Sequence, residues 1–267
     1  MIEHLVYIEF WILLIGFSLL ETAINWRSGL AGKFIRWPTN IGLMLIDATI
    51  AATLPGILVL SSLFIYDPTG GLLHWFSAPV WAQVLLWACV GTLLNYWMHR
   101  AFHSFPILWR FHKVHHSDTL LDATTGFRHH PGEQVASVLV YVVPTLILRP
   151  TPEVILIVSL LEIFSSIFTH INLPLPQWLD HILGMVIITP RMHNLHHSDY
   201  QPETDSNFGA TFVWWDCLFG TYLDQPLQTA EKFRFGLDDV PKAEAEDLVQ
   251  VLISPFLSNS VREKIKL

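Results

Sequence analysis

The chain has 267 residues, of which 52% are apolar and only 14% are charged, against roughly 25% charged in ordinary soluble domains. A mean hydropathy of +0.42 with 11 Trp and 17 Phe excludes a simple soluble globule and indicates a membrane protein rich in interfacial aromatics. The net charge of −8 gives a nucleic-acid partner no electrostatic support, and the two cysteines, Cys89 and Cys217, supply neither a disulfide framework nor a CxxC site.

Leu5–Ile24 is the first apolar segment. It lacks a basic leader and a small-residue cleavage site, so it reads as a retained membrane helix rather than a signal peptide. Ile41–Ile65 is the second, with Pro55 and Gly56 expected to bend it. Pro79–Met98 is the third. Val135–Leu148 and Val154–Ile171 then flank RPTPE and read as a bent helical hairpin. Its first arm, about 14 residues, falls short of the roughly 20 needed to span a bilayer. Ile182–Ile188 is too short to span and is expected at the membrane interface. After Asp224 the sequence turns polar and mixed in charge, as a tail of modest helical content.

These elements predict an all-α fold: a multi-pass membrane bundle of about four membrane-embedded units, the hairpin included, carrying a histidine-rich cytoplasmic cap. Three regions follow: amino-terminal transmembrane helices over 1–78, a histidine-bearing region over 79–223, and a polar cytoplasmic tail over 224–267. Arg27, Lys33 and Arg36 follow the first segment, and Arg100, Arg110, Lys113 and Arg128 follow the third. The loop YDPTGGLLHWFSAP has no Lys or Arg. The positive-inside rule puts the amino terminus outside and the end of the third segment in the cytoplasm. Arg149, at the hairpin tip, runs mildly against this and is accommodated by snorkelling.

Of the 14 histidines, 12 lie between positions 99 and 197. His99 and His103 are spaced i, i+4. His112, His115 and His116 are spaced i, i+3, i+4, and His193, His196 and His197 repeat that pattern. On a helix each set shares one face. A lone histidine ordinarily satisfies itself locally, which is the reading for His4, His74 and His181. Eight imidazoles at helical ligand spacing beside a low-dielectric bilayer need something to satisfy them, and a metal does. A zinc site takes at most four protein ligands, so this count fits two metals, each with about four ligands and an open position. Imidazole suits iron, zinc, copper and nickel alike, so the ligand type leaves the metal open.

Other chemistries fit less well. A membrane zinc metallohydrolase would carry an HExxH-type base, and none occurs. A metal transporter or store would place ligands deep along a path through the spans, whereas these gather at segment ends. A bis-histidine haem protein would need fewer.

The phrases NYWMHRAFH, LWRFHKVHHSD, GFRHHPGE, FTHINLPLP, PRMHNLHHSD and NFGATFVWWDCLFGTY occur in that order between about Leu93 and Leu223. Together they resemble the fatty acid hydroxylase/sterol desaturase superfamily, whose three histidine boxes match HRAFH, HKVHH and HNLHH. The resemblance implies a membrane-bound non-haem di-iron oxygenase that uses O2 and two external electrons to hydroxylate or desaturate a lipid, with 79–223 as its catalytic domain. It implies two iron ions held by His99, His103, His112, His115, His116, His193, His196 and His197, with His170 as a ninth ligand. It also marks His130 as an extra ligand or a neighbour of the ligands.

Metal-bound imidazoles usually donate their second N–H to an acceptor, and Asn95, Asp118, Asp199 and Asp216 are placed to serve. Asp118 and Asp199 are equally read as local caps. Arg128 and Glu133 are expected to pair, and Pro131 to open a helix with Glu133 in its first turn. Asp47 and Glu162 fall inside apolar segments, where an ionisable group is functional by default. No dinucleotide motif or iron–sulfur cysteine run is present, so the implied reaction requires a separate electron donor: a reductase, ferredoxin or cytochrome. The lipid, and the choice between hydroxylation and desaturation, stay open at this level.

Overall fold

The computed structural model describes residues 2–24, 30–62, 71–75 and 77–257. Among them the fold is all-helical, with two isolated β-bridges, Ile187–Phe212 and Ser198–Phe235, as its extended pairings. Helix α1 is Ile2–Ile24, α2 Leu30–Ser62, α3 Leu72–Trp75, α4 Val80–Ser104 and α5 Pro106–His116. The hairpin is α6, Pro131–Leu148, and α7, Pro152–His170. Short helices follow: α8 Gln177–Gly184, α9 Pro190–His196, α10 Gln201–Thr204, α11 Trp214–Phe219, α12 Lys242–Ala245 and α13 Leu248–Ile253. The last three residues of the expected second segment, 63–65, lie outside the described residues. At Pro55 and Gly56 only the helical backbone is described.

Three helices, α4, α6 and α7, are long and apolar enough to cross a membrane. The chain reads as an integral membrane protein. The first hairpin arm is longer than its apolar run suggested. Pro131 starts α6 four residues before Val135, which makes 18 helical residues, about 27 Å of helix. Three residues, Arg149–Thr151, turn the chain, and Arg149 takes the left-handed conformation that ends α6. Outer faces of the spans carry Trp81, Leu85, Leu139, Val143 and Ile155, all exposed, as lipid contact requires.

Proline opens α5, α6, α7 and α9 at the first turn, where its missing N–H costs nothing and its fixed φ suits the helix. At 25 residues, α4 exceeds the roughly 20 needed to span a bilayer. Only Phe105 separates α4 from α5, so the chain turns a corner there. Helix α7 packs against α1, α4 and α9 and forms the spine of the bundle. Leu14 of α1, Met44 of α2 and Ile167 and Phe168 of α7 share one buried cluster, while Trp87 and Ala88 of α4 meet Val154 and Val158 of α7 in another.

Behind the apolar core runs a buried polar network. Arg36 of α2 holds the Asp118 carboxylate with two nitrogens at 2.5 and 2.6 Å and Asp122 at 2.9 Å. Arg128 reaches Asn40 of α2 (2.7 Å), the Val114 carbonyl (2.9 Å) and the Ala245 carbonyl (2.6 Å). The described part of the tail packs on the bundle: α13 lies against α2 and the turn at 254–256 against α5, with Val251 buried against Leu43 and Val114.

Candidate metal centre

The end of α4 carries His99 and His103. The corner at Phe105 folds α5 back, bringing His112, His115 and His116 against them. Helix α9 and its C-cap carry His193, His196 and His197, and α7 ends on His170. The nine rings form two groups, in each of which the ligating atoms lie within 4.8 Å of one another. One is His99, His103, His112, His116 and His196; the other is His115, His170, His193 and His197.

The two HxxHH phrases interleave. His112 and His116, one turn apart, join the first group, while His115 turns to the second. In the third phrase the roles exchange: His193 and His197 join the second group and His196 the first. His116 and His197 stack across the join, with ring centres 4.6 Å apart and planes 23° apart.

The outer nitrogens of five rings face acceptors. Nδ1 donates to Phe208 O from His99 (2.8 Å), to Glu133 Oε1 from His112 (2.8 Å) and to Arg128 O from His115 (3.3 Å). The same holds for His170 on Ser166 O and His196 on Ser206 O, both at 2.7 Å. These partners assign the proton to Nδ1 and the lone pair to Nε2, which points inward. The inward nitrogens then approach one another closely: His99 and His112 at 3.0 Å, His115 and His170 at 3.3 Å. With both protons committed outward, these are lone pair facing lone pair, which only a positive charge between them relieves. The buried Nε2 atoms of His103 and His196 likewise have no hydrogen-bond partner. The residues present therefore fit two metal ions, one per group.

Burial keeps the rings available as ligands. It pushes His115, His116, His193, His196 and His197 well below the usual 6.5, and neighbouring rings add to the effect. His112 falls to about 3 by burial. Metal ligation needs the neutral imidazole, and these rings are neutral at pH 7.

Four expected supporting residues have other occupations. His130 caps α6: its Nδ1 accepts from Gly132 N (2.9 Å) and its Nε2 donates to Leu252 O (3.0 Å), so neither nitrogen is free for a metal. Asp118 supports no ring, because Arg36, Asn40 and Thr125 occupy its carboxylate. Burial acts to raise its pKa, but Arg36 overcomes this and takes it down to about 2. Asp199 lies outward, its backbone N–H on Arg234 O at 3.0 Å. Asn95 lines a cavity beside His99 rather than orienting that ring, whose Nδ1 is held by Phe208 O. Asp216 acts at one remove: it accepts from Phe208 N (2.7 Å) and Gly209 N (2.8 Å), fixing the loop whose carbonyl receives His99. Arg128 and Glu133 do not pair, since Glu133 receives His112 instead.

His129 is the neighbour that sequence reasoning missed. It stacks on His115, with centres 5.0 Å and planes 13° apart, and its Nδ1 lies 3.9 Å from the Asp47 carboxylate. A signal existed: the residue before an N1 proline is the helix cap, which commits His130 and leaves His129 to face inward.

The sequence model of the fatty acid hydroxylase family matches residues 84–221, just over half of the chain. The chain belongs to the fatty acid hydroxylase family. An ornithine lipid hydroxylase of Rhizobium tropici is 30% identical over 148 residues, 55% of this chain and 44% of that protein. An alkylglycerol monooxygenase of Danio rerio is 28% identical over 229 residues, 84% of this chain and 48% of that protein. A very-long-chain aldehyde decarbonylase of Arabidopsis thaliana is 28% identical over 165 residues, 57% of this chain and 26% of that protein. The chain spans about half the length, or less, of these curated relatives. No solved structure matches it.

Proposed function

We propose that this fatty acid hydroxylase family member is a membrane-bound non-haem di-iron oxygenase that hydroxylates or desaturates a lipid with O2 and two electrons from a separate donor. The observation that carries this is the pair of interleaved imidazole groups, five and four rings, with lone pairs converging on two centres at the end of the membrane helices. Five plus four exceeds what one zinc can use. The relatives' named substrates, an ornithine lipid and an alkylglycerol, support a lipid.

Bound irons supply the oxygen activation that breaks an unactivated C–H bond. In hydroxylation one oxygen atom enters that bond, and the other leaves as water with two protons and the two electrons. The chain's own residues hold and orient. His99, His103, His112, His116 and His196 would hold one iron; His115, His170, His193 and His197 would hold the other. Carbonyls of Phe208, Arg128, Ser166 and Ser206, with Glu133, keep Nδ1 protonated and Nε2 aimed inward. We assign the catalytic domain to 79–223 and the site to the cytoplasmic boundary, where lipid enters from the side and electrons and protons arrive from water.

The test is metal content per chain after expression in iron-replete medium and gentle detergent extraction. About two irons are expected. Zinc near one per chain without iron overturns the reading in favour of a hydrolase; zinc near two retains the two-metal centre and removes the iron.

A further inference from the structure

Between α4, α6 and α7 a cavity of about 270 Å³ opens onto His99, His112, His115, His170 and His193. It lies among the three helices able to cross a membrane, where hydrocarbon is the expected lining. Its lining is mixed: apolar surface is in the majority, but Asn95 from α4, Gln134, Ser137 and Tyr141 from α6, and Glu162 from α7 place polar groups on it. The side-chain amides of Asn95 and Gln134 make no hydrogen bond to another described residue, although both face the cavity. The Tyr141 hydroxyl gives its proton to Gly91 O at 2.9 Å. Glu162 stands beside that hydroxyl, which is also a hydrogen-bond partner for its carboxylate; its Oε1 is 3.4 Å from where a Cβ on Gly91 would sit, and no cation pairs with it among the described residues. An alkyl chain filling this space would strip water from all three groups and offer them nothing in return.

We propose that this cavity selects lipids carrying a hydrogen-bonding group, a hydroxyl or amine, within a few bonds of the carbon that reacts, with Glu162 and Asn95 as specificity-determining residues. The proposal rests on the oxygenase reading for the meaning of "reacts", but not for the binding itself. Glu162 accepts from the substrate's O–H or N–H, and the Asn95 and Gln134 amides complete its hydrogen bonds. That anchor sets which carbon lies at the histidine groups. A plain methylene deep in an acyl chain gains no such anchor and leaves the polar groups of Asn95, Gln134 and Glu162 without a ligand partner, which a site built for hydrogen bonding rejects.

The experiment is equilibrium binding of radiolabelled 1-hexadecanol, hexadecylamine and hexadecane to the full chain in nanodiscs, with empty nanodiscs as the blank and metal content measured on the same samples. At least one polar probe is expected to bind about tenfold more tightly than hexadecane, one hydrogen bond's worth. Glu162→Leu is expected to erase most of that preference and Glu162→Gln, which keeps an acceptor, to retain part of it. Asn95→Leu, on another helix, reports independently if Glu162→Leu fails to fold. Hexadecane binding as tightly as both polar probes overturns the proposal. So does a preference untouched by Glu162→Leu and Asn95→Leu, or an absence of saturable binding by every probe. Two irons with no preference sinks the cavity proposal alone; a preference without metal sinks the oxygenase reading alone.

Discussion

His112 Nδ1 donates to Glu133 Oε1 at 2.8 Å while its Nε2 lies 3.0 Å from His99 Nε2, so one carboxylate in the first turn of α6 aims a ring at the first imidazole group. Removing that acceptor leaves the ring free to rotate. Glu133→Ala is expected to lower metal affinity or turnover by about 10–100-fold, as loss of a ligand-orienting partner does elsewhere. Metal titration and lipid turnover on the purified variant check it. Unchanged metal binding and turnover would remove Glu133 from the centre.

The unequal group sizes make a second expectation. His116→Ala leaves four rings in the first group, whereas His197→Ala leaves three in the second. Both variants are expected to stay in the membrane and lose activity, and His197→Ala is expected to lose more metal. Elemental analysis of both, beside wild type, decides. Full activity in either would end the two-group arrangement.

Acid should destabilise the metal-free protein in two separable windows. Burial holds His115, His116, His193, His196 and His197 well below 6.5, and His112 at about 3. The unfolded chain binds protons near 6.5 that the folded chain refuses. Stability is therefore fully present above 6.5 and is lost as pH falls from there toward the folded values. Asp118 contributes lower down: its stabilisation is present above 3.8 and fades as pH falls through about 2. Melting temperatures of chelator-treated protein should fall between about pH 7 and about pH 5, and loaded protein should fall less, because bound metal competes with the protons. Equal losses in both samples would show that these rings do not bind metal.

Arg36→Ala should damage the fold rather than the chemistry. It strands the Asp118 and Asp122 carboxylates, both essentially inaccessible, without their cation. Breaking one side of such a buried pair costs about 3–5 kcal/mol. Thermal unfolding in detergent measures it. A variant with wild-type stability would mean that other groups repair the network.

The sequence by itself determined what depends on local spacing and composition. Apolar runs marked the chain as a membrane protein, though they undersized the first hairpin arm, and the i, i+3, i+4 intervals put eight histidines on shared helical faces; the ninth, His170, came only with the family resemblance. Family membership was legible too, because six phrases in order are far more specific than any one HxxHH. Partner choice among the polar residues was decided only by the tertiary structure. Asp118 repeats Asp199 in sequence, yet one is clamped by Arg36 from 82 positions away and the other lies outward. Glu133 passes over Arg128, five positions back, for His112, because helix start and corner bring those two together. The division of rings into five and four was equally invisible, since it depends on how α5 and α9 face each other across the end of α7. Helical periodicity acts over a single turn and is written into neighbouring letters. Buried charges and lone pairs are satisfied through space, by whichever group the packing of distant helices brings within about 3 Å.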